Sequence, residues 1–264
     1  MATVPQNVLP PNYLKDKVIL ITGASQGIGE SSAFTFARAG AIVVLNARRL
    51  EPIQHHLAAI EAEGGRGAAI QGDVADPASV EALIDAIMKR YGRLDGAFNN
   101  AGVEQTPAKL ADTSIEDYDY TNSVKSRGTF ICMKYEIPAM ISGGGGAIVN
   151  NGSVVSERTI PAYPAPAGTQ GAVLGLTRVA AAGYGLDNIR VNMLLTGGIR
   201  TPEREALTTP EMRSRDKGFC PMGRPGKAEE IAAVAGWLLS DYCTYVTGAC
   251  IPVDGGFLAG LSPG

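Results

Sequence analysis

The residues best equipped for chemistry begin at the end of an apolar run. Residues 18–22 lead directly into Gly23-Ala24-Ser25-Gln26-Gly27-Ile28-Gly29, and a helical pattern with small residues on one side follows. Glycines at such a junction let the backbone turn tightly and let a pyrophosphate approach the helix N-terminus, where unpaired amides and the helix dipole favour an anion. Gly23, Ser25, Gln26, Ile28 and Gly29 are therefore candidate dinucleotide contacts. The next apolar run ends in Leu45-Asn46-Ala47-Arg48-Arg49, with no carboxylate for a ribose hydroxyl pair and two guanidinium groups suited to a 2′-phosphate. The expected cofactor is NADP(H); the competing reading of Arg48 and Arg49 is a solvated helix start.

Downstream, reactive residue types are sparse. From Tyr135 through Asp216 the chain carries no lysine. Within that stretch Ser153 ends the segment Ile148-Val149-Asn150-Asn151-Gly152-Ser153, and Tyr163, Pro166 and Gln170 precede a helical run. The two histidines, His55 and His56, are adjacent on what reads as a solvated helix face, so neither a zinc centre nor a Ser-His-Asp triad can be assembled from them. Cys132, Cys220, Cys243 and Cys250 lack Cys-x-x-Cys spacing and read as buried free thiols rather than a redox pair or a metal site. No metal is expected. A formal net charge of −3 with scattered basic residues gives no electrostatic reason to expect nucleic acid or an anionic membrane surface. No apolar run approaches bilayer length, and residues 1–14 form a polar, proline-bearing arm without the pattern of a leader. A soluble, cytoplasmic protein is expected.

The elements that must position these residues follow from periodicity. Short runs rich in Val and Ile, at residues 18–22, 42–46, 68–72, 96–99, 147–150, 188–193 and 250–252, alternate with longer helical patterns. Seven strand candidates separated by helices predict an α/β fold, a doubly wound parallel sheet with helices on both faces, because each crossover must bury a helix against the sheet. No composition shift divides the chain, so 1–264 reads as a single Rossmann-fold domain, with residues 200–222 as a substrate-loop segment. The glycine run 143–146 reads as a flexible turn into the fifth strand.

With these motifs in order, the chain resembles the short-chain dehydrogenase/reductase family over about residues 15–258. Gly72-Asp73-Val74 corresponds to the family's adenine contact, and Asn99-Asn100-Ala101-Gly102 to the segment that holds the sheet and the adenosine side. Asn188-Ile189-Arg190-Val191-Asn192, Thr196-Gly197, Thr201-Pro202, Val246-Thr247-Gly248 and Val253-Asp254-Gly255-Gly256 follow in the family's order. The resemblance thus adds Asp73, Val74, Asn100, Ala101, Gly102, Gly197, Ile199 and Thr201 to the cofactor-binding set. One departure is that Thr196-Gly197 stands where the family usually has Pro-Gly.

The resemblance also implies an Asn, Ser, Tyr and Lys set. The family's tyrosine exchanges the proton on the substrate oxygen, its lysine lowers the tyrosine pKa and holds the nicotinamide ribose, its serine steadies the carbonyl, and its asparagine holds a relay water. Ser153 aligns with the serine. The tyrosine position, thirteen residues on, is Pro166, and the lysine position four later is Gln170. Tyr163 is the nearest replacement, but its own +4 position is Ala167. The asparagine position falls on Lys125, twenty-eight residues before Ser153, with Asn122 a helical turn away. Lys125 reads either as a pocket residue or as a solvated helix lysine. The catalytic candidates are Ser153, Lys125, Arg127, Tyr163, Pro166 and Gln170.

A free phenol titrates near pH ~10 and needs a cation beside it to act at neutral pH. Ketone reduction creates an alkoxide that requires a proton or an oxyanion stabiliser, whereas hydride transfer to an iminium ion removes charge. The expected activity is NADPH-dependent reduction of an activated C=N or iminium group. In that respect the chain resembles a branch of fungal alkaloid iminium reductases that also control an intramolecular Diels–Alder cyclisation. The implied substrate is a small, apolar, polycyclic molecule shaped by Tyr163, Pro164, Pro166, Arg127 and residues 200–222. Two alternatives stand beside it. One is an NADP(H)-binding pseudo-enzyme or partner subunit; the other is an ordinary alcohol or ketone oxidoreductase, using a displaced Tyr163 or being a substituted variant. Family resemblance further implies a homo-tetramer packed through helices at 128–142 and 171–183 and the tail at 255–264.

Overall fold

The computed structural model describes residues 10–103, 107–201, 209 and 220–260. Seven strands form one parallel sheet in the order β3-β2-β1-β4-β5-β6-β9: β1 Val18–Thr22, β2 Ile42–Ala47, β3 Arg66–Gln71, β4 Gly96–Asn99, β5 Gly146–Ser153, β6 Ile189–Thr196 and β9 Cys250–Val253. Alternation along the strands explains the layers. On β1, Ile19 and Ile21 join one core cluster while Val18 and Leu20 join the other. Successive side chains of a strand point to opposite faces, so both faces of this strand are apolar and both demand cover. Helices α1 (Gly27–Arg38), α2 (Leu50–Ala62) and α7 (Ala228–Leu239) bury Phe36, Ile53, Ile60, Ile231 and Leu238 on the first face. Helices α3 (Pro77–Tyr91), α5 (Gly128–Ser142) and α6 (Pro164–Tyr184) cover the second with Leu83, Ile87, Ile137, Met140 and Ala181.

Local signals set several of these elements. Asp76 caps α3 by accepting from Ala78 N, Pro77 opens it, and Gly92 closes it in the left-handed region at φ 71°. The glycine run before β5 makes its turn through Gly144 and Gly145, with φ 90° and 127°. A Cβ at Gly145 would lie 2.5 Å from Asn188 O, so only glycine fits there.

The strands differ from expectation at their ends. β5 runs to Ser153 and β6 to Thr196, each three residues past the expected limit, because the two pair continuously from Gly146↔Ile189 to Ser153↔Thr196. Asn188, expected inside β6, is instead a left-handed turn residue at φ 60°. A two-residue pair, β7 Ile199–Arg200 with β8 Gly226–Lys227, was not signalled by periodicity. Leu14, expected at the end of a polar arm, is fully buried and donates its amide to Ala39 O at 3.0 Å. Residues 1–9, most of the expected substrate loop (202–208 and 210–219) and the tail 261–264 lie outside the described residues.

Strand order reverses between β1 and β4, and chains leaving the two strands diverge there. In open α/β sheets the crevice beyond the carboxyl ends at such a switch point is where ligands bind.

Candidate active site

A cleft of about 750 Å³ opens at that position. It is lined by Gly23, Ser25, Gln26 and Ile28 from the glycine turn, Arg48 and Arg49 beyond β2, and Asp73 and Val74 beyond β3. Asn100, Ala101, Gly102, Gly197 and Thr201 continue the lining. Of the expected cofactor set, only Gly29 and Ile199 stand behind the surface, and both are buried. The glycines are steric requirements: a Cβ on Gly29 would lie 2.2 Å from Gly23 O, and one on Gly197 would lie 2.7 Å from Asp254 Cα. Gly23 and Gly27 take φ 65° and 60°, which side-chain-bearing residues rarely adopt. At the start of α1 the backbone leaves room that side chains on these glycines would fill, so the cradle fits the pyrophosphate of a dinucleotide.

Arg48 donates to the Tyr120 hydroxyl at 2.9 Å, and Arg49 reaches Gln26 Oε1 at 3.4 Å. Both guanidinium groups are exposed beyond the β2 end. Asn46, at the position of an acidic ribose ligand, is buried and donates to Ile70 O at 3.1 Å. His56 departs from the expected solvated face: its Nε2 lies 3.0 Å from Ser25 O and its ring packs edge-on against Phe34. It therefore pins the glycine turn to α2.

The other end of the cleft gathers Lys125, Ser153, Pro166 and Gln170. Arg127 and Tyr163 are not among the described lining residues. Arg127 turns away and donates to Ala75 O at 2.6 Å, and Tyr163 is the N-cap residue of α6. Pro166 sits in the first turn of α6, where amides have no intrahelical acceptor, so a proline costs the helix no hydrogen bond. Gln170, one turn on, is 8% exposed, and its Oε1 has no hydrogen-bond partner. A buried orphan acceptor lining a cleft is positioned to receive a donor from a bound molecule.

Lys125 stands on a wide i→i+5 turn, Ser123–Arg127, between α4 (Ile115–Asn122) and α5. Such turns are frequent at functional sites, and Lys125 is buried on this one. The side chain is 7% exposed, and Nζ donates to Asn151 O and, at 3.3 Å, to Ala101 O. The solvated-lysine reading of Lys125 is corrected by this burial. Desolvation disfavours the ammonium and lowers its pKa to about 8.

Asn151 was not singled out in the sequence, yet it connects this end. Its Nδ2 donates to Asn100 Oδ1 at 2.9 Å, and its Oδ1 accepts from Thr196 Oγ1 at 2.7 Å. Asn100 continues the strut to Thr22 O and Gly23 O, both at 3.2 Å. The only signal was two adjacent asparagines in a strand, where their propensity is low. Ser153 Oγ accepts a long 3.4 Å bond from Val155 N, and its proton is uncommitted among the described residues.

A parallel α/β sheet with a glycine cradle at its switch point defines a dinucleotide-binding protein. The chain belongs to the short-chain dehydrogenase/reductase family: residues 23–258 match the family profile described as enoyl-(acyl carrier protein) reductase. It is 40% identical over 253 residues to a 2,5-dichloro-2,5-cyclohexadiene-1,4-diol dehydrogenase of Sphingobium indicum, covering 93% of this chain and 98% of the relative. It is 37% identical over 246 residues to a cyclohexanol dehydrogenase of an Acinetobacter species, covering 93% and 96%. The crystal structure of a levodione reductase superposes with a TM-score of 0.88 at 34% identity, covering 93% of this chain and 98% of that one. The protein is thus an oxidoreductase of the short-chain dehydrogenase type, a family that uses nicotinamide cofactors.

Proposed function

We propose that the protein reduces a C=N⁺ group with hydride from NADPH. One observation carries this reading: Pro166 and Gln170 line the cleft where the family resemblance expects tyrosine and lysine, and among the described residues no tyrosine lines it. Hydride addition to a neutral ketone develops an alkoxide, which the family quenches with a phenol that the described lining lacks; an iminium carbon is neutralised by the same transfer. The preference for NADP(H) is supported by Arg48 and Arg49 at the adenosine end and by Asn46 in place of a carboxylate. The resemblance to the alkaloid branch extends the reading to steering of an intramolecular Diels–Alder cyclisation. A shaped cleft would there supply proximity rather than acid–base catalysis, and its substrate would be apolar and polycyclic.

A second reading, oxidation of an alcohol or reduction of a ketone, is favoured by the relatives, which are named for a cyclohexadiene diol, for cyclohexanol and for levodione. Tyr163 as its proton donor gains no support from its place at the N-cap of α6. NADPH oxidation with 3,4-dihydroisoquinoline and with cyclohexanone separates the two readings. Imine turnover should exceed ketone turnover, and the double change Pro166→Tyr with Gln170→Lys should raise ketone reduction by about 10²–10⁴-fold without helping the imine. Rapid reduction of cyclohexanone by the unmodified protein, with none of the imine, establishes the second reading instead.

A further inference from the structure

We propose that Lys125 is the proton donor of this site, so that the substrate enters as a neutral imine and becomes the reducible cation only inside the cleft. The inference rests on the C=N reading and deepens it. Its starting point is a conflict of charge. Lys125 is buried, lines the cleft and has no carboxylate within ion-pair distance among the described residues. An ammonium held there repels a substrate that arrives already cationic, and at the low effective dielectric of a buried site that repulsion is strong.

The conflict disappears if one proton serves both groups. Two of the three ammonium protons are held by Asn151 O and Ala101 O, which leaves the third without a protein acceptor among the described residues. Transfer of that proton breaks a Lys125 N–H bond and forms an N–H bond on the imine nitrogen, leaving Lys125 a neutral amine. A bound reduced nicotinamide would supply the hydride for the new C–H bond as the C=N π pair moves onto nitrogen, and Lys125 regains its proton from water. The site holds a single positive charge until hydride arrives. Gln170 Oε1, the orphan acceptor, is available for the new N–H.

The surrounding groups do not set the charge of Lys125. The titratable side chains on elements packed against its turn are Glu116, Asp117, Tyr118, Asp119 and Tyr120 on α4, Arg127 beside it, Cys132, Lys134, Tyr135 and Glu136 on α5, and Arg178 and Tyr184 on α6, with Asp73 also lining the cleft. None exerts a resolved charge effect on it, and burial alone lowers its pKa to about 8. That places its proton affinity near that of a simple imine, where transfer in either direction is easy.

The test compares 3,4-dihydroisoquinoline, which can take up a proton, with the N-methyl-3,4-dihydroisoquinolinium ion, which cannot lose its charge. In the unmodified protein, imine turnover should fall as pH rises through about 8. Lys125→Met should lower imine turnover by about 10²–10⁴-fold relative to turnover of the permanent cation. Lys125→Arg keeps the charge but does not release a proton at these pH values, so it should not rescue the imine. A binding readout needs no turnover: calorimetry with NADP⁺ present should show the permanent cation binding at least about tenfold tighter above pH 8 than below it, a gain lost in Lys125→Met. If Lys125→Met does not fold, the pH dependence of the unmodified protein and the arginine variant still decide. The proposal is overturned if arginine restores the imine reaction, if both probes lose activity alike, or if cation affinity does not change with pH. Turnover of cyclohexanone but neither C=N probe sinks the C=N reading alone, and loss of that ketone activity in Lys125→Met then tests the donor by itself.

Discussion

Replacing Glu136 by Gln should remove a large part of the protein's pH-dependent stability. Glu136 lies on α5 with 0% exposure. Its Oε2 accepts from Asn99 Nδ2 at 3.0 Å, Asn99 donates onward to Asn150 Oδ1 at 3.1 Å, and Asn150 donates to Thr177 Oγ1 at 2.9 Å. Burial pushes the carboxyl up to about 8, against an ordinary value of 4.5, so the folded protein holds it neutral where the unfolded chain ionises it. With a raised folded pKa, the contribution is fully present below pH 4.5 and is lost as pH climbs through about 8. Between those limits stability falls by about 1.4 kcal/mol per pH unit, roughly 5 kcal/mol in all, which is comparable with the total stability of many domains. Urea unfolding from pH 5 to 8 reads this as a midpoint falling by about 0.5 M per pH unit. The window is otherwise quiet for the perturbed groups: the lowered Asp16, Glu63 and Glu230 act at more acid pH, and Lys125 acts only above about 8. Glu136→Gln keeps the shape and the Asn99 contact while removing the proton, so its midpoint should lose that slope. Equal slopes in the two proteins would falsify the neutral-carboxyl assignment.

Two further outcomes test the ends of the cleft. Arg48→Asp should reverse or abolish the NADP(H) preference, since a 2′-phosphate would meet a carboxylate; a loss of one charge-assisted contact alone corresponds to about 10–100-fold in affinity, and equal affinity of the unmodified protein for NADP(H) and NAD(H) sinks the assignment. Thr196→Val removes the hydroxyl that donates to Asn151 Oδ1 and leaves a buried acceptor unpaired, so denaturant unfolding should show a loss of about 1–3 kcal/mol, and an unchanged midpoint would mean the strut carries no stability.

The sheet was legible because each strand is apolar on both faces and each helix has a face to bury, a pattern that survives without knowledge of partners. The glycine turn was legible for a related reason: Gly23, Gly27 and Gly29 are demanded by local backbone shape and by contacts only a few residues away. What escaped depended on distant chain segments. β5 and β6 extend to Ser153 and Thr196 because each stabilises the other, and neither run alone shows it. His56 reads as a surface residue until α2 is packed against the turn at Ser25. The inward aim of Lys125 comes from a single wide turn, whose extra residue leaves no mark in periodicity. Arg127, two positions on, was grouped with it and points instead to the loop after β3.

Three positions where the family resemblance implies other residues line one cleft: Lys125 where it implies asparagine, Thr196 where it implies proline and Gln170 where it implies lysine. Asn151 joins the first two: its carbonyl receives the Lys125 ammonium and its side chain receives the Thr196 hydroxyl. A proline at 196 could not donate to Asn151 Oδ1, and an asparagine at 125 would lack the reach of a lysine stem. Unrelated losses would be expected to leave unpaired polar atoms at several points of the cleft. Among the described residues the buried side-chain atoms without partners are on Ser31, Tyr91, Asn99, Glu136 and Gln170, and only Gln170 lines the cleft. Its orphan is an acceptor where the family resemblance implies a cation. The cleft's lysine stands on the turn between α4 and α5 and is held by Ala101 O and Asn151 O. A donor at Lys125 and an acceptor at Gln170 in one cleft suit a substrate atom that takes up a proton and then presents it, which nitrogen does on becoming an iminium and an alkoxide oxygen does only after reduction.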